Sequence, residues 1–207
     1  MLLHRIKKLG FTPKDLENLH HYIMHYAPII IHMRANTNFQ FFAKDTHYRN
    51  AFEVMQKRGQ HMPSSGGRVD WEDRMFNRRH HNATPFERVK YGTMNFTNDP
   101  KGVNVCHGYG QSYFLLKPHV RDRCTIADMD TASSTATIGT FRFVFHVLNK
   151  VQDGELVAAF EGSKGKEMLS NVIAAYKEIQ IHGPVEFSQD IERVYICNNE
   201  VKTSPDP

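Results

Sequence analysis

The sequence predicts a single α+β domain, with a mixed or split β-sheet and an N-terminal helix. The clearest helix signal stands near the start of the 207-residue chain and strand patterns crowd its later part, a segregation that goes with α+β rather than alternating architecture. No internal repeat and no Pro/Gly/Ser-rich linker divides the chain, and its length is enough for one buried core. Residues 1–28 are therefore assigned to an N-terminal helical segment, 29–197 to the α+β domain and 198–207 to a tail, with disorder expected from Lys202 to Pro207.

In order, Thr12-Pro13-Lys14-Asp15 opens a helix, with Thr12 as N-cap, proline at the first helical position and an acid in the first turn. Leu16, Leu19, Ile23 and Tyr26 share one face, and the helix ends before Pro28. Ile29-Ile30-Ile31-His32-Met33 is β-branched throughout its first part and reads as a buried strand. Ala51-Phe52-Glu53-Val54 is open between strand and helix. Pro63-Ser64-Ser65-Gly66-Gly67 is a loop and connector, without the Lys and spacing of a P-loop. Trp71–Phe76 reads as a short helix docking the only tryptophan.

Tyr91–Asn95 and Tyr109–Lys117 read as strands, with Pro118 ending the second. Val120–Ile126 alternates and is expected to be the next strand, at a sheet edge. Thr135–Asn149 is open between helix and strand, as is Glu155–Phe160. Lys166–Ile173 is expected to be a short helix, Ser188-Gln189-Asp190 a turn, and Ile191–Cys197 the last strand.

Charge and cysteine content narrow the class. A net charge of +4 with dispersed basic residues suits an anionic ligand such as a nucleotide without marking a nucleic-acid surface. Three widely spaced cysteines without a CxxC argue against structural zinc and against a disulfide scaffold. Of the thirteen histidines, four stand in the runs His20-His21 and His80-His81 and the rest are scattered without a tight ligand spacing, so no metal ligand set is assigned. His4, Arg5, Lys7 and Lys8 interrupt any signal-peptide core, and no apolar run is long enough to cross a membrane. A cytoplasmic protein with no membrane partner is the expectation.

The focal stretch is Tyr176–Pro184. Ile179 and Ile181 alternate with Glu178, Gln180 and His182, so an acid, an amide and an imidazole leave one face of a strand about 7 Å apart. Gly183-Pro184 stops it. Such a row can hold and polarise a polar ligand if its face lines a cleft; otherwise it is an ordinary polar face. Candidate ligand-binding groups elsewhere are His32, Asp45, His47, Arg49, Tyr91 and Ser112. Each has a structural alternative: an ion pair of Arg49 with Asp45 or Glu53, core packing for Tyr91, a strand start for Ser112.

Asp45–Glu53, Tyr91–Asn95, Tyr109–Tyr113 and Glu178–Pro184 together resemble an uncharacterised family of bacteria and scattered eukaryotes, the domain of unknown function thirty-six twenty-six. The resemblance runs from about Ile29 to Ile196 and implies no activity. The chain departs from the family's pattern where Val54–Lys57 replaces a glycine turn, where Gln111 replaces an acid, and near Met129-Asp130-Thr131.

By order of motifs alone, the chain is also similar to ADP-ribosyltransferase-like domains, small α+β split-sheet folds. These carry an Arg or His on an early strand, a Ser, Thr or Tyr on a middle one and a Glu on a late one. The similarity implies NAD as substrate, with His32 and Arg49 gripping the dinucleotide, Ser112 in the middle and Glu178 as catalytic carboxylate, Gln180 and His182 orienting substrate. Its late motif is Glu-x-Gln, where the transferase motif ends in its catalytic Glu. The acceptor that this similarity implies is a protein or nucleic acid. Two alternatives stand beside it: a metal-assisted phosphoester hydrolase drawing on His32, Asp45, His47, Glu178 and His182, and a ligand-binding or interaction module without catalysis.

Overall fold

The computed structural model describes residues 1–60, 67–168 and 170–201. Pro63–Gly66 of the expected loop and the tail from Lys202 lie outside them. A short helix α1 (Leu2–Lys8) precedes α2 (Pro13–His25). Thr12 and Asp15 close a reciprocal capping box, Oγ1 accepting the Asp15 N–H at 3.1 Å and Oδ2 accepting the Thr12 N–H at 2.8 Å. The inward face of α2 is Leu16, Leu19, Tyr22 and Ile23; Tyr26, expected among them, is exposed beyond the last turn.

Strand β1 (Ile29–Met33) is buried at every position. Helices α3 (Ala35–Phe42), α4 (Ala51–Lys57) and α5 (Arg68–Met75) follow, so Ala51–Val54 is helical, begun by an Asn50–Glu53 capping box. Then come β2 (Lys90–Met94), β3 (Ser112–Leu116), β4 (Cys124–Ala127), β5 (Ile138–Thr140), α6 (Phe145–Leu148) and α7 (Asp153–Ser163). The chain continues through β6 (Glu178–Ile181), α8 (Phe187–Asp190), β7 (Ile191–Tyr195) and α9 (Asn198–Val201).

Two expectations are corrected and one open reading is resolved. Pro118–Arg123 is a 3₁₀ segment, and the strand that follows it is not an edge. Its alternation misleads because Arg121 turns inward, donating to the His25 carbonyl at the end of α2 and to the Ala27 carbonyl just after it. Thr135–Asn149 holds both a short strand and a short helix. Within Lys166–Ile173 a 3₁₀ turn stands at Ser170–Val172, and the Met168 N–H is spent on the Thr97 carbonyl.

The strands form one sheet in the order β5-β4-β6-β2-β1-β3-β7. Every ladder is antiparallel, so the sheet is not mixed. Ile179 and Ile181 face the same side as Ile126 and Cys124 and join a core with Leu19, Ile23, Val147, Leu156 and Phe160. Glu178 lies opposite Thr93, and Gln180 opposite Tyr91 and Thr125, on the other face. All of Glu178–Ile181 is buried, the polar members included.

Two features place the site. Glu155, in the first turn of α7, accepts the Ala174 and Ala175 N–H groups at 2.7 and 3.1 Å and pairs with Lys177 at 2.9 Å. This buried carboxylate fixes the approach to β6. The β1–β2 ladder has only two residue pairs, Ile29↔Met94 and Ile30↔Thr93, whereas β1–β3 and β2–β6 have four each. Beyond Ile30 the two strands part.

Candidate functional site

A cleft of about 540 Å³ opens where β1 and β2 separate, with His32 on one strand and Tyr91, Gly92 and Thr93 on the other. That volume is in the range of small-molecule sites. Glu178 lines it from β6, and Asp130 and Tyr176 stand beside that carboxylate. Tyr48–Ala51 at the start of α4, Arg68 and Trp71 of α5, and Tyr109 complete the walls.

Glu178 is only 5% exposed. Its Oε1 accepts from Thr131 Oγ1 and, at 3.0 Å, from Gln180 Nε2. Burial drives its carboxyl above the ordinary range, against the pull of those two donors, with Asp130 adding repulsion. Gln180 is fully buried behind it and does not line the cleft. Thr125 Oγ1 donates to Gln180 Oε1 at 2.8 Å, which points the amide NH₂ at Glu178. His182 Nε2 lies 3.2 Å from Thr125 Oγ1, whose proton is already committed, so this nitrogen is the donor. The His182 ring stacks on His80 away from the cleft, and burial lowers its pKa to about 4. The expected row of three is thus a relay: one group in the cleft, one behind it, one at the far end.

His32 lines the cleft but both ring nitrogens are engaged. Nδ1 is 2.8 Å from the Gly110 carbonyl and Nε2 accepts the Val103 N–H at 3.0 Å, which fixes the neutral Nδ1–H tautomer. Burial lowers its pKa to about 4. Arg49 reaches the cleft while its Nε and Nη2 clasp Asp45 at 2.7 and 2.9 Å. That clasp holds the Asp45 carboxyl down at about 2. His47 pairs with Glu53 at 2.7 Å, and neither it nor Asp45 lines the cleft. Ser112 is also remote from it: its hydroxyl donates to Glu200 at 2.6 Å and accepts the Cys197 N–H at 2.9 Å, tying β3 to α9. His32, Asp45, His47, Glu178 and His182 therefore do not converge. Among the described residues no three His, Cys, Asp or Glu side chains are grouped to hold a metal ion.

Tyr91 lines the cleft and donates from its hydroxyl to Glu72 at 2.9 Å. Two residues that sequence reasoning did not single out as ligand groups stand over it. The Arg68 guanidinium lies 4.9 Å from the Tyr91 ring centroid and 4.8 Å from that of Trp71. It makes no carboxylate ion pair among the described residues. Stacking leaves its edge N–H groups available for an anion. The Trp71 indole nitrogen is buried and meets no acceptor at hydrogen-bond geometry among the described residues. Tyr176 donates to Asp130 at 2.8 Å and meets the Tyr109 ring edge-on. The only sequence cues to this wall were the lone tryptophan three residues from an arginine and the acid-rich turn at Asp128–Asp130.

From residue 21 to residue 163 the chain matches the family model described as Protein of unknown function (DUF3626). The match takes in His32, Arg49, Arg68, Tyr91 and Asp130, and ends before Tyr176 and Glu178. No curated protein matches the chain. Among the described residues no helix is long and apolar enough to cross a membrane. The chain belongs to the DUF3626 family.

Proposed function

We propose that the cleft binds NAD and that the chain is an ADP-ribosyltransferase-like enzyme, transferring ADP-ribose to an acceptor or to water. The observation that carries this reading is a buried, cleft-facing carboxylate where a sheet parts between two central strands, with a stacked guanidinium and aromatic walls beside it. Arg68 supplies the grip on the pyrophosphate, and Trp71, Tyr91 and Tyr109 supply surfaces for flat rings.

In the reaction the bond between ribose C1′ and the nicotinamide nitrogen breaks, and nicotinamide leaves as a neutral ring. Positive charge gathers on the ribose, and the ionised Glu178 stabilises it in a site where little water competes. The acceptor oxygen or nitrogen then bonds to C1′ and loses its proton. Gln180 and Thr131 hold the carboxylate in place. His32 acts here as a wall strut, since both its nitrogens are spent. That same observation favours the second reading, a nucleotide-binding module without catalysis, because the early-strand histidine expected to grip the dinucleotide is already satisfied internally.

Calorimetry with NAD, followed by assay of released nicotinamide, separates the two. The enzyme reading expects Glu178→Gln to keep NAD binding and lose at least about 100-fold in nicotinamide release. Binding without release in the unaltered protein leaves the module, and no heat at millimolar NAD removes the enzyme reading.

A further inference from the structure

Three imidazole pairs come into ring contact among the described residues: His21–His25, His32–His107 and His80–His182. They are not equivalent as ligand sets. His32 has both nitrogens engaged, and His107 faces the Lys101 carbonyl at 3.1 Å. His80 and His182 stack at an interplanar angle of 20°, offering each other ring faces instead of converging lone pairs. His21 and His25 alone are both exposed, with no hydrogen bond to either ring among the described residues.

We propose that His21 and His25 form a surface chelate for one divalent transition-metal ion of the zinc, nickel or copper class. The two residues are four apart on α2 and so stand on the same helix face. Their ring centroids are 4.7 Å apart and the planes are tilted by 54°, so small side-chain rotations bring one nitrogen from each to a common point. Arg121 braces the end of this helix by donating to the His25 carbonyl at 3.3 Å, and to that of Ala27. The spacing is therefore set before the ion arrives. Water fills the remaining coordination positions. Neutral imidazole suits all three ions, and affinity rises from nickel to copper and falls again at zinc.

The test is calorimetric titration of the untagged protein with copper, nickel and zinc salts, alongside His21→Ala, His25→Ala and, as a control, His80→Ala. Both α2 sites are exposed, and circular dichroism verifies that the variants fold. The proposal expects one equivalent per chain, copper tightest, with at least a tenfold loss of affinity in either α2 variant and none in His80→Ala. Saturating metal should also raise the melting temperature of the unaltered protein and not of His21→Ala, because the chelate spacing exists only in the folded helix. Undiminished affinity in both α2 variants, or no binding at millimolar metal, overturns it.

Discussion

Burial pushes the Glu178 carboxyl above its ordinary value, so folding favours this side chain with its proton on. Between the unfolded and folded pKa values the native state holds more protons than the unfolded one, and stability falls as pH rises through that window. Above the folded value the penalty is complete. Glu178→Gln should therefore raise the melting temperature at neutral pH, since the amide oxygen still accepts from Thr131 and Gln180 and no charge is buried. The gain should shrink as pH is lowered toward the ordinary carboxylate range; a variant less stable than the parent at pH 7 would sink this account. The same raised pKa places the acid limb of nicotinamide release above the value of an unperturbed glutamate. For Arg68→Ala, loss of a charge-assisted contact to phosphate predicts NAD affinity weaker by roughly 10- to 100-fold. Calorimetry with adenosine in parallel reads out specificity, because a ligand without phosphate should lose far less.

Helix α5 reaches the cleft because a buried pair holds it against β2. Glu72 and Arg88 are 0% and 1% exposed and 2.9 Å apart, and the other oxygen of Glu72 takes the Tyr91 hydroxyl. Removing one partner strands the other, so Glu72→Ala should cost about 3–5 kcal/mol in urea unfolding. A loss under about 1 kcal/mol would show that water already reaches Arg88. Gly110 is a second fixed point: its φ is +131°, and an added Cβ would lie 1.9 Å from the Met33 carbonyl oxygen. Gly110→Ala must displace the segment that holds His32, with an expected cost of about 3 kcal/mol or more. Elements of this kind were unevenly legible. The β-branched run of β1 and the Thr12 capping box state their structure locally. Helix α1 has no side-chain cap, and Arg121 reads as an exposed strand residue until its carbonyl partners are known. In the focal strand the alternation was visible, but not that Thr125 and Thr131, far off in sequence, would bury Gln180 and hold Glu178.

At the scale of the molecule, the cleft exists because separate stretches of chain converge where one ladder stops after two pairs, and no local pattern records such a convergence. The core is likewise one body. Ile6, Leu16, Leu19, Tyr22 and Ile23 of the first two helices belong to the same cluster as Ile29, Ile31, Leu156 and Phe160. Burying a large apolar side chain contributes roughly 1.5–3 kcal/mol, and a typical domain has only about 5–15 kcal/mol of net stability. Loss of those five side chains thus rivals the whole margin. It would also uncover Phe160, which stacks on Phe11 at 4.0 Å. A fragment beginning at Ile29 should therefore fail to unfold cooperatively and should expose apolar surface to a hydrophobic dye, even though it retains every strand and every residue of the cleft. A fragment that melts in one sharp transition and binds NAD as the whole chain does would show instead that the sheet is self-sufficient and the first two helices an appendage.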